Sequence, residues 1–146
     1  MRAGLNQKVI NVAPPGAIVD NAAFTTAVVD TKGWAFVTFI VILGALDIAL
    51  AALKLRESDA SDMSGAVDID GADYSTDATL PAATADNNLY AIHVNCTGSR
   101  ERYLDLSLTG GDGTAGTYAT VIAILSRPEE SPKSAAARGF TAELTV

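Results

Sequence analysis

Residues 34–55 form one apolar run whose only ionisable side chains are Asp47 and, near its end, Lys54. A run of this length either crosses a bilayer as a helix or lies inside a folded core. Asp47 near its middle would cost an inserted helix on the order of 3 kcal/mol. The composition also changes at Gly44: residues 34–43 are aromatic and β-branched, and those that follow are rich in Ala and Leu. That pattern predicts two consecutive buried strands that turn at Gly44 rather than a membrane helix. In the first of them Trp34, Phe36, Thr38 and Ile40 share one face, and Ala35, Val37, Phe39 and Val41 the other. Both faces are largely apolar, so this strand is expected at the centre of the domain, covered on both sides.

The remaining chain supplies short strands around this pair. Residues 8–12 form a β-like run that Pro14, Pro15 and Gly16 close, so the segment before residue 24 reads as an N-terminal arm or first strand. Residues 24–146 then form the main domain. Residues 24–29 are β-branched and run into turn chemistry at Asp30, Thr31, Lys32 and Gly33. Residues 49–58 contain many helix formers, but Lys54, Arg56 and Ser58 alternate with Leu53, Leu55 and Glu57, which favours a strand. Residues 89–95 continue the pattern, and in residues 117–126 Val121, Ala123 and Leu125 alternate with Ile122 and Ile124, so both faces are again apolar. The cleanest alternation lies at 102–108, where Leu104, Leu106 and Leu108 should face inward and Tyr103, Asp105 and Ser107 outward, half-exposed to water. Residues 127–139 should run as an extended loop, and 140–146 should return as an edge strand. About eight short strands without intervening helices predict an all-β fold, a single antiparallel β-sandwich or jelly roll.

The formal charge of −7 comes from 17 acidic against 10 basic residues, which argues against a nucleic-acid partner, since phosphate affinity needs clustered Lys and Arg. Between Glu57 and Ser99 there is no Lys or Arg, so residues 57–88 form an acidic surface excursion, with a small hairpin expected at Asp70 and Gly71. Cys96 is the only cysteine, which rules out an intrachain disulfide or a multi-cysteine zinc set and fits assembly in a reducing cytoplasm. The first ten residues hold no apolar core of the kind an export signal needs, and no membrane partner is expected.

Chemistry-bearing patterns are sparse. The loop at 110–116 is glycine-rich like a phosphate loop, but it lacks the Lys-Ser/Thr pair and opens onto a strand, so it reads as a strand connection. Asp68, Asp70 and Asp73 lack the downstream Glu and the frame of a calcium loop and read as a solvated turn. His93 has no base or nucleophile beside it, and Cys96 has no activating neighbour. Arg100 and Arg102 begin a strand, either as a solvated strand end or placed to meet the acidic loop or a neighbouring subunit. No catalytic residue, cofactor or metal is expected, and the chain reads as a non-enzyme.

Several runs together carry a family likeness: residues 30–33 before the aromatic strand, 43–48, 53–59, 86–89, 102–105, 111–118 and 124–127. Over about residues 25–130 they resemble small proteins encoded among the structural genes of tailed phages and prophages. The resemblance implies a virion β-domain, most simply a capsid decoration or cement protein. Such a protein assembles in the host cytoplasm, forms a homo-oligomer, favourably a trimer, and binds the major capsid protein on the outer head surface where capsomers meet. A tail, neck or head-fibre component is the alternative, as is a small β-sandwich binding module for calcium or a glycan. No site residues carry over. High apolar content in a small acidic chain agrees with burial between subunits. Candidate interface residues are Lys8, Val9, Ile10, Pro14 and Pro15 in the first segment, Arg100 and Arg102, and Pro128, Glu129, Glu130, Pro132 and Arg138 in the loop before the C-terminus.

Overall fold

The computed structural model describes residues 6–16 and 18–144. It contains nine strands: β1 (Gln7–Ala13), β2 (Ala23–Thr25), β3 (Val29–Asp30), β4 (Trp34–Leu46), β5 (Ala52–Ser58), β6 (Val67–Asp73), β7 (Leu89–Asn95), β8 (Tyr103–Thr109) and β9 (Thr117–Pro128). One sheet, sheet A, has the order β1-β9-β4-β7, and the other, sheet B, the order β2-β8-β5-β6, with β3 also on β8. Every pairing is antiparallel. Taken as one interrupted strand, β2 and β3 pair with β8, as β1 pairs with β9, β4 with β7 and β5 with β6. The chain is thus one long hairpin with its tip between β5 and β6. Rolling that hairpin brings β9 beside β4 and β8 beside β5, which is the jelly-roll form of the expected all-β sandwich.

The core lies between the sheets. Val37, Phe39 and Val41 of β4 and Val121, Ala123 and Leu125 of β9 face Leu53 and Leu55 of β5 and Leu104, Leu106 and Leu108 of β8, all fully buried. Each such side chain contributes about 1.5–3 kcal/mol relative to leaving it in water. The apolar run at 34–55 is therefore β4, a turn and β5. Among the described residues no helix is long and apolar enough to cross a membrane.

The structure departs from the sequence expectations at definable points. The chain does not turn at Gly44; β4 runs through it to Leu46, with a register shift against β9 between Leu43 and Leu46. Gly44 is needed for approach instead, since a Cβ there would lie 2.9 Å from that of Tyr118. Residues 24–29 are not one strand. Thr26 accepts the Leu106 N–H on its hydroxyl (3.0 Å), while the Ala27 N–H turns away to the Val12 carbonyl of sheet A (2.8 Å). Asp70 and Gly71 form no hairpin turn: they lie within β6, in a bulge with Gly71 at φ +79° that sets one residue of β5, Leu55, against four of β6, Ile69 to Ala72. The turn lies at 59–66, fastened by the Ser58 hydroxyl, which donates to the Ser64 carbonyl and accepts the Ala60 N–H.

Asp105 faces outward on β8 but is buried, because Arg56 of β5 covers it with two hydrogen bonds, 3.0 and 2.6 Å long. The tail forms no edge strand through Leu144, and the last two residues of the expected 140–146 strand lie outside the described residues. Residues 136–138 make one 3₁₀ turn instead, ended by Gly139 at φ +87°. Gly139 lies so close to the Val9 carbonyl that any side chain would collide with it. The tail therefore shields the free edge of β1, which would otherwise offer unpaired backbone groups to a neighbouring chain.

Candidate functional site

The outward faces of the two sheets differ in chemistry. On sheet B the outward side chains include the Arg56–Asp105 pair and Lys54, which donates to Asp68 at 2.7 Å. On sheet A the antiparallel register sets Ile40 beside Ile122, Thr38 beside Ile124, Ile42 beside Thr120 and Phe36 beside Ser126. β1 extends these rows with Val9 against Ile124, and β7 extends them with Leu89 against Ile42, Ala91 against Ile40 and His93 against Thr38. No Asp, Glu, Lys or Arg stands in these rows. The inward side of β4 is sealed as expected, but among the described residues the outward side of its sheet is covered only in part: Arg127 lies over the Phe36 ring, Gly139 and Phe140 share a groove with Val9 and Ile122, Ile40 and Ile42 are only half-buried, and Leu89 is 67 % exposed. The expectation of cover on both sides fails because the strands among the described residues are all used in two layers, leaving none of them to form a third.

This face spans about 20 Å across four strands and about 25 Å along them, or about 500 Å². The largest patch on a monomer is commonly of this size and is often functional, which makes this face a candidate interaction surface. Sequence reasoning found the two-sided apolar character of β4 and β9 but not Ile40, Ile42, Ile122 and Ile124 as a surface. The signal that would have found them is strand count against chain length.

The proposed interface residues separate into three places. Lys8, Val9 and Ile10 lie on β1, with Pro14 and Pro15 just beyond it, at one margin of the apolar face. Arg100, Arg102, Pro128 and Glu129 come together at one end of the sandwich, and Glu130 and Pro132 follow in the exposed loop. Arg138 is turned into the tail. Its side chain is buried, donating to the Pro132 carbonyl at 2.7 Å and to both oxygens of Glu143, so it folds the tail on itself.

At that end a cleft of about 510 Å³ opens between three segments, 31–33, 96–102 and 127–129. Thr31 ties the first to the second, its N–H and hydroxyl both reaching the Arg102 carbonyl, and the Glu129 N–H ties the third to Gly33 at 2.9 Å. Arg102 meets Asp30 in a two-pronged pair at 2.8 and 2.7 Å, holding the Asp30 carboxyl below the usual carboxylate range. Arg100 donates to Glu57 at 3.0 Å. Arg127 makes no ion pair among the described residues; its guanidinium lies 5.3 Å from the centre of the Phe36 ring. Its backbone sits at φ +52°, a conformation that costs a non-glycine residue about 1–2 kcal/mol. Lys32, Trp34 and Arg127 were not singled out from sequence as a group, because Arg127 lies far from the other two in the chain and meets them only through the β4–β9 pairing.

At the opposite end the glycine-rich loop does hold an anion with its backbone, and that anion belongs to the chain itself. Asp47, in the turn after β4, accepts the Ala115 N–H at 2.6 Å and that of Thr114. These amide contacts hold its carboxyl below the usual range. A side chain at position 113 would collide with the same carboxylate, which accounts for Gly113.

The other candidate residues are occupied locally. Asp73 accepts the Ser75 N–H and hydroxyl, Asp68 pairs with Lys54, and His93 bonds the Thr38 hydroxyl across the β4–β7 ladder at 3.0 Å. Cys96 is partly buried, which pushes its thiol above the ordinary value. Among the described residues no three His, Cys, Asp or Glu side chains gather as a metal site.

No protein-family model matches this chain, and no curated protein matches it. Among solved structures it is similar to the SPBc2 prophage-derived protein YomS, at 11% identity and a TM-score of 0.48, over 83% of this chain and 93% of that one. A likeness at that level carries no argument about function.

Proposed function

We propose that this chain is a structural protein of a phage particle, acting as a capsid decoration protein that self-associates and binds the major capsid protein on the outer head surface. The observation that carries the reading is the apolar face of sheet A, which meets a charge at the end where Arg127 lies over Phe36. An acidic chain that leaves Phe36, Ile40, Ile42, Ile122 and Ile124 outward with no ion pair across them has a face suited to burial against protein. Its area, about 500 Å², is the larger part of the roughly 800 Å² per partner in a standard interface, and the loops around it supply the remainder. The jelly roll adds a fold-level analogy only, since viral capsid and lectin domains share it. The sequence resemblance to phage structural genes supplies the particle.

Electron microscopy of particles carrying this protein tests the reading. Copies arrayed over the shell at capsomer junctions are expected. A shell without copies overturns it, and copies confined to the tail or neck replace decoration with the tail assignment.

A further inference from the structure

We propose that the cleft at the 31–33, 96–102 and 127–129 end binds an acidic sugar, a pyranose carrying one carboxylate, with Arg127 and Lys32 receiving the carboxylate. The proposal does not rest on the assembly reading, although Phe36 belongs to the apolar face as well.

Four of the ten basic residues of this acidic chain, Lys32, Arg100, Arg102 and Arg127, line the one cleft. Two of them are already committed: Arg102 to Asp30 and Arg100 to Glu57. Those pairs fasten the walls. Neither Arg127 nor the side chain of Lys32 has a carboxylate partner among the described residues. The Phe36 ring beneath the Arg127 guanidinium fixes its position without consuming its N–H donors. A planar guanidinium so placed is matched to a carboxylate.

The other lining groups narrow the class. Glu129 also faces this cleft, and its carboxylate lies 3.9 Å from where a Gly33 side chain would begin. It repels a polyanion such as an acidic peptide or a phosphate cluster, but it accepts hydrogen bonds from hydroxyl groups. Thr97 adds a hydroxyl, and Trp34 adds an aromatic surface of the kind that packs against the C–H face of a sugar ring. The cleft of about 510 Å³ is open to solvent and has room for a single sugar ring. One carboxylate, several hydroxyls and a ring face together describe a uronic acid better than a simple anion.

Trp34 is the only tryptophan and lines the cleft, so its fluorescence reports occupancy directly. The experiment titrates the intact chain with D-glucuronate, and in parallel with D-glucose, acetate and a glutamate-rich peptide. A saturable change with glucuronate in the millimolar range is expected, with glucose and acetate much weaker. Arg127→Gln should weaken binding about tenfold or more. Lys32→Gln, at an exposed side chain, tests the same carboxylate without risk to folding, and circular dichroism confirms that both variants keep the β fold. No response to glucuronate overturns the proposal. An equal response to glucose or to acetate overturns it too, as does tighter binding of the peptide, which would assign the cleft to a protein partner. Unchanged glucuronate affinity in both variants would remove Arg127 and Lys32 from the site and with them the proposal.

Discussion

Arg56 and Asp105 face each other across the β5–β8 ladder and join through two hydrogen bonds, leaving the Asp105 side chain 3% exposed. Removing one partner strands the other charge where water reaches it poorly. Arg56→Met, which leaves the buried Asp105 carboxylate unpaired, is expected to lose about 2–4 kcal/mol of stability, read as a lower urea midpoint. Replacing both residues with apolar ones, Arg56→Met with Asp105→Leu, should recover most of that loss. A single variant within error of wild type would mean that the pair contributes nothing to the fold.

Asp47 ties the turn after β4 to the glycine-rich loop, so that loop should depend on pH. The folded carboxyl lies below its ordinary value, near 3.8, because the Ala115 and Thr114 amides stabilise the charged form. A carboxyl depressed in the folded state contributes stability above its unfolded value and loses it as the pH falls through the folded one. Hydrogen exchange at the Thr114 and Ala115 amides should be protected at neutral pH and become faster than simple pH scaling predicts only below about pH 4. In Asp47→Asn the protection should be weak at every pH. Equal protection in variant and wild type would show that the loop is held by other contacts.

Gly139 lets the tail lie against the Val9 carbonyl, with Arg138 bound to Glu143 behind it. Gly139→Ala both strains a backbone at φ +87° and drives a methyl group into that carbonyl. The tail should detach while the sandwich stays folded. Limited trypsin digestion should then cut after Arg138 much faster than in wild type, with the remaining body intact. An unchanged cleavage rate would refute the shielding of the β1 edge.

The strands were legible wherever a short-range period was enough to define them. Leu104, Leu106 and Leu108 announced β8, and the alternation of Leu53 and Leu55 with Lys54 and Arg56 outweighed the helix preference of their neighbours. Departures arose where long-range partners decided the outcome. Gly44 resembles a turn glycine until Tyr118 is placed across from it, and Asp105 resembles a solvent-facing residue until Arg56 covers it. Gly71 has the local signature of a turn, yet it makes a bulge because β5 continues past it as a template.

The candidate sites were less legible than the fold. Arg100 and Arg102 attracted notice as charged residues at a strand start, but Lys32, Trp34 and Arg127 join them only once β3, β4, β7 and β9 end side by side. The apolar face was visible as two-sided hydrophobicity in residues 34–43 and 117–126. Its openness was not, because periodicity shows that a face is apolar without showing what lies over it.

The most direct test of assembly through sheet A is the mass of the purified chain in solution, by light scattering coupled to size exclusion, for wild type and for Ile40→Lys with Ile122→Lys. These two positions are neighbours across the β4–β9 ladder and point away from the core. Wild type is expected at a small multiple of the 15.0 kDa chain, three copies being favoured, and the double variant at one copy with an unchanged β-type spectrum. A wild-type monomer at every concentration, or a double variant that keeps the wild-type mass, would contradict it.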